Sequence, residues 1–304
     1  MLGGSCGVHA AIVAYAVRRR DHLAQRVTGQ RVLSILVRIV VLLKYVPDIT
    51  SDRRFEDGRV VRDPAVGSLN ELDENAVEAA LRLIEAQPAG EDEPGHEVIA
   101  VTVAPAAADI ALRKAYQMGV HRGVRVSDDA LAGSDYFGTT AALAAAVRRL
   151  GEERPVDLVI TGMAALDGLG SVVPALLADE LGWPQLTLAK TVDLGDRTLT
   201  ITREVDDAYE TLAAPLPAVL SVTDTANSPR YPNFKLIMAA RTKQIEEWSA
   251  ADLGLDPADV GLAAARTVTV EAAPHPPRPD VELVVDKGEG GKALAEFLIR
   301  NDLV

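Results

Sequence analysis

The chain has a single cysteine, Cys6, among 304 residues. A lone thiol excludes an internal disulfide framework and any metal site built from cysteines. Because Cys6 lies near the start, thiol chemistry is excluded from the main body as well. Aromatic residues make up only 4 % of the chain. Basic charge is also short: 31 Lys and Arg stand against 44 Asp and Glu, a formal charge of −13. That argues against nucleic acid as the main partner, because phosphate binding needs a positive surface. From residue 39 onward no stretch reaches the ~18 apolar residues that a membrane span needs. Several motifs are missing too. There is no GxGxxG dinucleotide fingerprint, no GxxxxGK[ST] phosphate loop and no GxSxG nucleophile elbow. The five histidines (His9, His22, His96, His121, His275) are scattered without metal-ligand spacing. The acidic pairs Asp206-Asp207 and Glu246-Glu247 read as solvated surface.

What remains is a chain that is 48 % hydrophobic and 25 % charged, long enough to bury a full core. Its charge is uneven. Residues 1–38 carry six arginines against Asp21, a balance of +5, which leaves −18 for residues 39–304. This leader is open to three readings. Gly7 to Val17 has the length of a secretory apolar core, but its arginines follow rather than precede it. Its arginine-rich, acid-poor composition suits an organelle transit peptide. The abrupt change in composition also fits an upstream extension that is not native or is disordered.

Beyond the leader, strand-like and helix-like segments alternate. Ile39 to Tyr45 is a continuous apolar run, the pattern of a strand buried on both faces. Asp57-Gly58 marks a turn. Asn70 caps a helix whose apolar face is Ala76, Val77, Ala80, Leu81 and Ile84. Glu97 to Val103 is the next strand, Pro105 opens a helix through Met118, and Gly119 ends it. Val124–Val126 and Asp157–Thr161 are further strands around an alanine-rich helix, Phe137 to Leu150. This order predicts an α/β fold with a mostly parallel sheet and helices on both faces. Ligands then belong at the carboxyl ends of the strands. After Leu188 the pattern changes. Thr191–Leu194 and Thr198–Val205 flank Gly195-Asp196 as a β-hairpin. Pro274, Pro276, Pro277 and Pro279 make a stiff linker before the sequence GEGG and a last helix with Leu294, Phe297 and Leu298 on one face. The expected organisation is an extension over 1–38, a nucleotide-binding α/β domain over 39–250, and a C-terminal extension over 251–304.

Two stretches carry chemistry. Gly162 to Pro174, GMAALDGLGSVVP, follows a buried strand and precedes a helix. Gly162, Gly168 and Gly170 let the backbone turn tightly and approach a ligand. The helix start offers free N–H groups and a positive dipole end, which favour a phosphate. Asp167 can hold a ribose hydroxyl or a backbone amide. Such turns also occur for purely structural reasons. The second stretch, Ile201 to Ala240, alternates like two strands around an acidic tip. Pro229 and Pro232 then forbid a further strand, and the chain turns helical around Ile237 to Ala240. Its loop exposes Tyr231 and Phe234, an arrangement that asks for a covering partner. A nucleotide-like pocket without a nucleophile or an acid–base constellation points to a carrier subunit without catalytic residues of its own.

The second stretch resembles the signature of the electron transfer flavoprotein (ETF) beta/FixA family. The matching residues are Ile201, Arg203, Asp206, Asp207, Glu210, Leu212, Pro217, Val219, Leu220 and Ser221, with Ala208 departing from the usual glycine or acid. The likeness extends over most of residues 39–304. It includes VLLKYVPD (Val41 to Asp48), ENAVEAAL, VTVAP, AYQMGVHRGVRV, GWPQLTLA and SPRYPNF. The resemblance implies a Rossmann-like fold of the adenine nucleotide alpha hydrolase type, with an added hairpin and a C-terminal extension that docks on a partner subunit. It implies a heterodimer whose α subunit holds most of the FAD site, while this chain holds AMP. The AMP contacts implied are Leu42, Asn70, Glu71, Leu72, Asp73, Val103, and the run Gly162, Met163, Ala164, Ala165, Leu166, Asp167, Gly168, Leu169, Gly170, Ser171, Val172 and Val173. Ser171 and Val173 depart from the residues usual in the family, so backbone contacts are expected there.

The segment 227–240 corresponds to the loop that grips flavoprotein dehydrogenases such as the acyl-CoA dehydrogenases of fatty acid oxidation. Phe234 stands at its anchor, accompanied by Tyr231, Ile237 and Met238. Glu204 and Arg203 are expected to pair with the α subunit, and Lys44 to Ile49 to face the flavin. Electrons would leave through FAD to a quinone oxidoreductase. Two other readings are an electron-bifurcating subunit with a second FAD in place of AMP, and a stand-alone nucleotide-binding protein. A cytoplasmic location is expected, or a mitochondrial matrix one if the leader is a transit peptide.

Overall fold

The computed structural model describes residues 36–51, 54–56, 59–63, 65–87, 95–273, 276 and 283–304. The leader up to residue 35, the turn Asp57-Gly58, and Pro274, Pro277 and Pro279 lie outside them.

Seven strands build the central sheet: β1 (Arg38–Leu42), β2 (Glu97–Val103), β3 (Arg122–Val126), β4 (Leu158–Gly162), β5 (Gln185–Ala189), β6 (Ala218–Val222) and β7 (Ile245–Trp248). Their order is β7-β3-β2-β1-β4-β6-β5, and every neighbouring pair is parallel. Six helices accompany them among the described residues: α1 (Glu71–Glu85), α2 (Asp109–Met118), α3 (Tyr136–Glu153), α4 (Val173–Leu181), α5 (Phe234–Thr242) and α6 (Gly290–Arg300). The period of two along a strand sorts the core into two layers. Ile39 and Val41 pack with α1 and α2, while Val40 and Leu42 pack with α3 and α4. The α/β expectation with helices on both faces therefore holds, and its central sheet is parallel throughout.

The chain winds outward from β1 through β2 to β3, then returns to lay β4 on the other side of β1. That reversal puts the switch point of the sheet at the carboxyl ends of β1 and β4, the place where α/β sheets bind ligands.

Several boundaries differ from the sequence reading. The run Ile39–Tyr45 is broken after Leu42. Tyr45–Pro47 leaves the sheet and pairs antiparallel with Gly67–Leu69. Arg38, assigned to the extension, is the first residue of β1 and is only 3 % exposed. Asn70 occupies the cap position of α1, but its side chain makes no capping bond. The stretch expected as two strands around an acidic tip supplies more than a hairpin. Thr191–Gly195, Thr198–Val205 and Ala208–Pro215 form a separate three-stranded antiparallel sheet. After Leu216 and Pro217 the chain re-enters the central sheet as β6. β5 and β7 were not expected. β7 carries Glu246 and Glu247, which pair with Arg122 and Arg125 of neighbouring β3 instead of facing only water.

The C-terminal extension begins by packing on the body. Val260 is buried, Leu262 N–H donates to the Ala132 carbonyl at 3.0 Å, and Asp135 accepts from the N–H groups of Arg266 and Thr267. α6 buries none of its residues against the chain, leaving Leu294 and Phe297 exposed. No described helix is long and apolar enough to cross a membrane.

Candidate functional site

The site at the carboxyl ends of β1 and β4 is built largely from backbone. Beyond Gly162, at the end of β4, a loop runs to α4, with Leu169 and Ser171 in the left-handed region at φ of 48° and 54°. Gly162 is required because a Cβ there would lie 2.6 Å from the Leu72 carbonyl oxygen. The start of α1 is therefore pressed against the end of β4. Gly170 serves the same purpose against the Tyr136 ring, at the start of α3.

Two buried polar side chains fasten this loop. Asn70, fully buried, donates from Nδ2 to the Ala164 carbonyl (2.9 Å) and accepts at Oδ1 from Leu166 N–H (3.0 Å). This use of both amide atoms explains why Asn70 does not cap its helix. Asp73 accepts from Lys44 N–H at 2.7 Å. Burial pushes its carboxyl up to about 7, against the opposing pull of Asn70, Lys44 and the Gly162 N–H. Leu42 and Val103 sit at the carboxyl ends of β1 and β2 and share the apolar layer with Val173.

Asp167 does not reach outward. It is paired with Lys44 (2.8 Å) and with Arg62, and its carboxylate is almost wholly covered. Burial alone would raise its pKa, but the two cations outweigh it and hold the group below the usual carboxylate range. These pairs let Asp167 brace the loop. Lys44 had been expected to face a flavin, and Arg62 had no assigned role. A paired acid between two glycines was the available signal.

The expected site residues therefore fall into two groups. Leu42, Val103 and the run Gly162–Val173 lie together at the carboxyl ends of β1, β2 and β4. Asn70 and Asp73 lie beneath the loop and shape it from inside, with Glu71 exposed and Leu72 packed on Gly162. At the loop's end the N–H groups of Gly170, Ser171 and Val172 find no partner among the described residues, and α4 starts directly behind them. Unpaired N–H groups before a helix dipole suit an anionic group. The residues present thus fit a nucleotide phosphate held by backbone, with Leu42, Val103 and Val173 providing apolar surface.

A second cleft of about 210 Å³ opens beside Met163, Leu188, Lys190, Glu204, Thr223 and Thr225, under the three-stranded sheet. Here Glu204 is already paired with Lys190 at 2.7 Å and Arg203 with Glu210 at 2.7 Å. Both charges are matched within the chain, and Glu204 remains more than half exposed.

The third region is segment 227–240. Tyr231 is 96 % exposed and Phe234 78 %, and Met238 is exposed as well, while Ile237 is half-buried. Phe234 therefore does not fold back on its own domain. α5 starts at Phe234, earlier than the sequence suggested, because Asn233 caps it by accepting from Leu236 N–H at 2.9 Å. The described histidines are structural. His96 Nδ1 accepts from Val37 N–H and His121 Nδ1 from Val98 N–H, both at 3.1 Å. No cluster of potential metal ligands occurs among the described residues.

Comparison with known proteins shows the family to which this fold belongs. A model of the electron transfer flavoprotein domain matches residues 57–253, more than half of the chain. The electron transfer flavoprotein subunit beta of Mycobacterium tuberculosis is 40 % identical over 271 residues, covering 88 % of this chain and all of that protein. The caffeyl-CoA reductase-Etf complex subunit CarD of Acetobacterium woodii is 32 % identical, over 82 % of this chain and 92 % of that protein. Protein FixA of Azotobacter vinelandii is 30 % identical, over 84 % and 91 %. With a domain matched over residues 57–253 and relatives aligned nearly end to end, the chain belongs to the electron transfer flavoprotein beta/FixA family.

Proposed function

We propose that this subunit pairs with an FAD-bearing α subunit, holds AMP at the β1/β4 switch point, and docks flavoprotein dehydrogenases through segment 227–240. Acyl-CoA dehydrogenases are the proposed donors and a quinone oxidoreductase the acceptor. The flavin supplies the redox chemistry when bound; the protein supplies position and environment. No residue of this chain serves as a nucleophile or proton-transfer catalyst in this reading, and its site of action is the cytoplasm.

The observation that carries the reading is the loop 162–173. It offers three unpartnered N–H groups at the switch point of a parallel sheet, close to the apolar ends of β1 and β2. Backbone donors recognise a phosphate whatever side chains stand at Ser171 and Val173. Leu42, Val103 and Val173 would contact an adenine. Asn70, Asp73 and the Asp167 pairs would keep the loop in place. At the docking segment, Phe234 and Tyr231 are large apolar groups held in water, and burying one such side chain is worth roughly 1.5–3 kcal/mol.

Co-expression with the α subunit tests this directly. The expected product is a yellow heterodimer that releases one FAD and one AMP on acid denaturation. Two flavins per heterodimer would replace AMP by a second FAD. A colourless protein that purifies alone would overturn the carrier reading.

A further inference from the structure

α1 is packed on the sheet by alanine, valine and leucine, yet a polar stripe crosses it: Asn75, Glu78, Arg82 and Glu85. Spacings of three, four and three residues put these on one face. All four side chains serve the approach to segment 227–240. Asn75 Nδ2 donates to the carbonyls of Asp224 (3.2 Å) and Asn227 (2.9 Å), and Asn227 Nδ2 returns a bond to the Asn75 carbonyl (3.0 Å). Arg82 donates to the Ser228 carbonyl at 3.3 Å. Arg230 is held twice over. Glu78 accepts from its backbone N–H (3.1 Å) and its Nε (2.7 Å), and Glu85 accepts from both terminal nitrogens (2.6 and 2.9 Å).

Among the described residues no backbone–backbone hydrogen bond reaches residues 227–232. The side chains of α1 therefore replace the ladder that a strand or helix would supply. Glu78 is a costly choice for mere packing. Its carboxylate is only 3 % exposed, and a buried charge pair is commonly no better for stability than apolar residues of similar volume. What a forked guanidinium between two carboxylates adds is fixed direction. Arg230 is also the residue directly before Tyr231, and four before Phe234.

We propose that Glu78 and Arg230 are positioning residues for docking: their pair sets the departure of the segment so that Tyr231 and Phe234 are presented in the partner-binding geometry before the partner arrives. This inference rests on the reading of segment 227–240 as the dehydrogenase-docking element. A preformed segment avoids the ordering cost that a loose one incurs on binding. The effect therefore belongs in KM for the carrier and not in the turnover of a complex already formed.

The test uses the intact heterodimer with an acyl-CoA dehydrogenase reduced by its acyl-CoA. Arg230→Ala should raise KM about tenfold, equivalent to ~1.4 kcal/mol, with kcat unchanged. Arg230→Lys, which keeps the charge but loses the fork, should recover part of that loss. Amide exchange should quicken across 227–240 and stay unchanged in the sheet. Glu85→Ala removes only an exposed partner, so it folds even where Arg230→Ala does not, and a smaller rise in KM is expected. Phe234→Ala is run in parallel. A raised KM for Phe234→Ala with wild-type KM for Arg230→Ala and Glu85→Ala overturns the positioning role alone. Wild-type KM for Phe234→Ala removes the docking reading and this inference with it.

Discussion

The two ends of the central sheet put their charges to different uses. At the amino end, charges are spent on one another. Arg38, at the start of β1, bonds Glu97, Glu153 and the carbonyls of Leu150 and Arg154. Arg122 bridges Glu153 and Glu246, and Asp157 takes Arg197 and the Arg38 N–H. At the carboxyl end, the buried Asn70 and Asp73 bond mostly backbone, the Asp167 carboxylate takes Lys44 and Arg62, and the N–H groups of Gly170, Ser171 and Val172 find no partner among the described residues. At one end the ion pairs tie strands to helices; at the other they brace a loop from beneath, with backbone donors left above. A parallel sheet flanked by helices has all its strand starts on one side and all its strand ends on the other. Stability and ligand binding can therefore be separated by position.

Breaking the amino end should have the largest effect. Arg38→Met leaves the Leu150 and Arg154 carbonyls without their buried donor and takes a cation from Glu97 and Glu153, and a loss of about 3–5 kcal/mol is expected for removing one member of a buried charge cluster. Chemical denaturation of the heterodimer would show it, with nucleotide content per folded molecule unchanged. Disturbing the carboxyl end should do the reverse. Gly162→Ala forces a Cβ against the Leu72 carbonyl and the Asp73 carboxylate, for which about 1–3 kcal/mol is expected, and here the nucleotide should be lost on gel filtration. If both variants lost stability and nucleotide together, the separation of the two ends would be wrong. Phe234→Ala touches neither end. Loss of its roughly 1.5–3 kcal/mol of burial should weaken dehydrogenase docking about 10- to 100-fold without moving the melting temperature.

The gentlest probe is pH, where the two ends should oppose each other. Glu153 is lowered to about 2, first by its bonds from Arg122, with burial pulling the other way and Arg38 adding to the lowering. Its contribution is present above its unfolded value near 4.5 and is lost as pH falls toward 2. Asp73 is raised from 3.8 to about 7 by burial. Its contribution is complete below 3.8 and fades as pH rises through about 7. Carbon-detected NMR titration of the two carboxyls would check this. An Asp73 that titrates near 4 would mean that the hydrogen bonds from Lys44 and Gly162 outweigh its burial.

The sequence showed the scaffold better than its fastenings. Buried runs such as Glu97–Val103 and the alternation of strands with helices announced a parallel sheet, since strands covered on both faces are apolar throughout. β7 was hidden because an edge strand, Ile245–Trp248, carries two glutamates, and nothing local reveals that arginines of β3 lie beside them. β6 was hidden because the chain leaves one sheet at Pro215 and joins another at Ala218 with scarcely a break in its apolar pattern. At the site, glycine spacing located the loop but misjudged its acids. Asp167 looked free because Lys44 and Arg62 are 123 and 105 residues away in the chain. The polar stripe on α1 was visible as Asn75, Glu78, Arg82 and Glu85 in an alanine-rich helix, but its meaning needed Arg230 in place.

The path of the chain through segment 227–240 bears on how this subunit handles a bound protein. The segment leaves from β6, in the interior of the sheet, and ends in β7 at its far edge. On the way Arg113 takes the Ala240 and Lys243 carbonyls, and the Lys243 ammonium lies 4.9 Å from the centre of the Tyr116 ring. The docking segment is thus a handle bolted at both ends to one plate, with a third bolt at Arg230. A protein that grips the handle holds the plate. A partner that docks there as proposed would therefore be tied to the sheet through the same three fixed points, whichever partner it is.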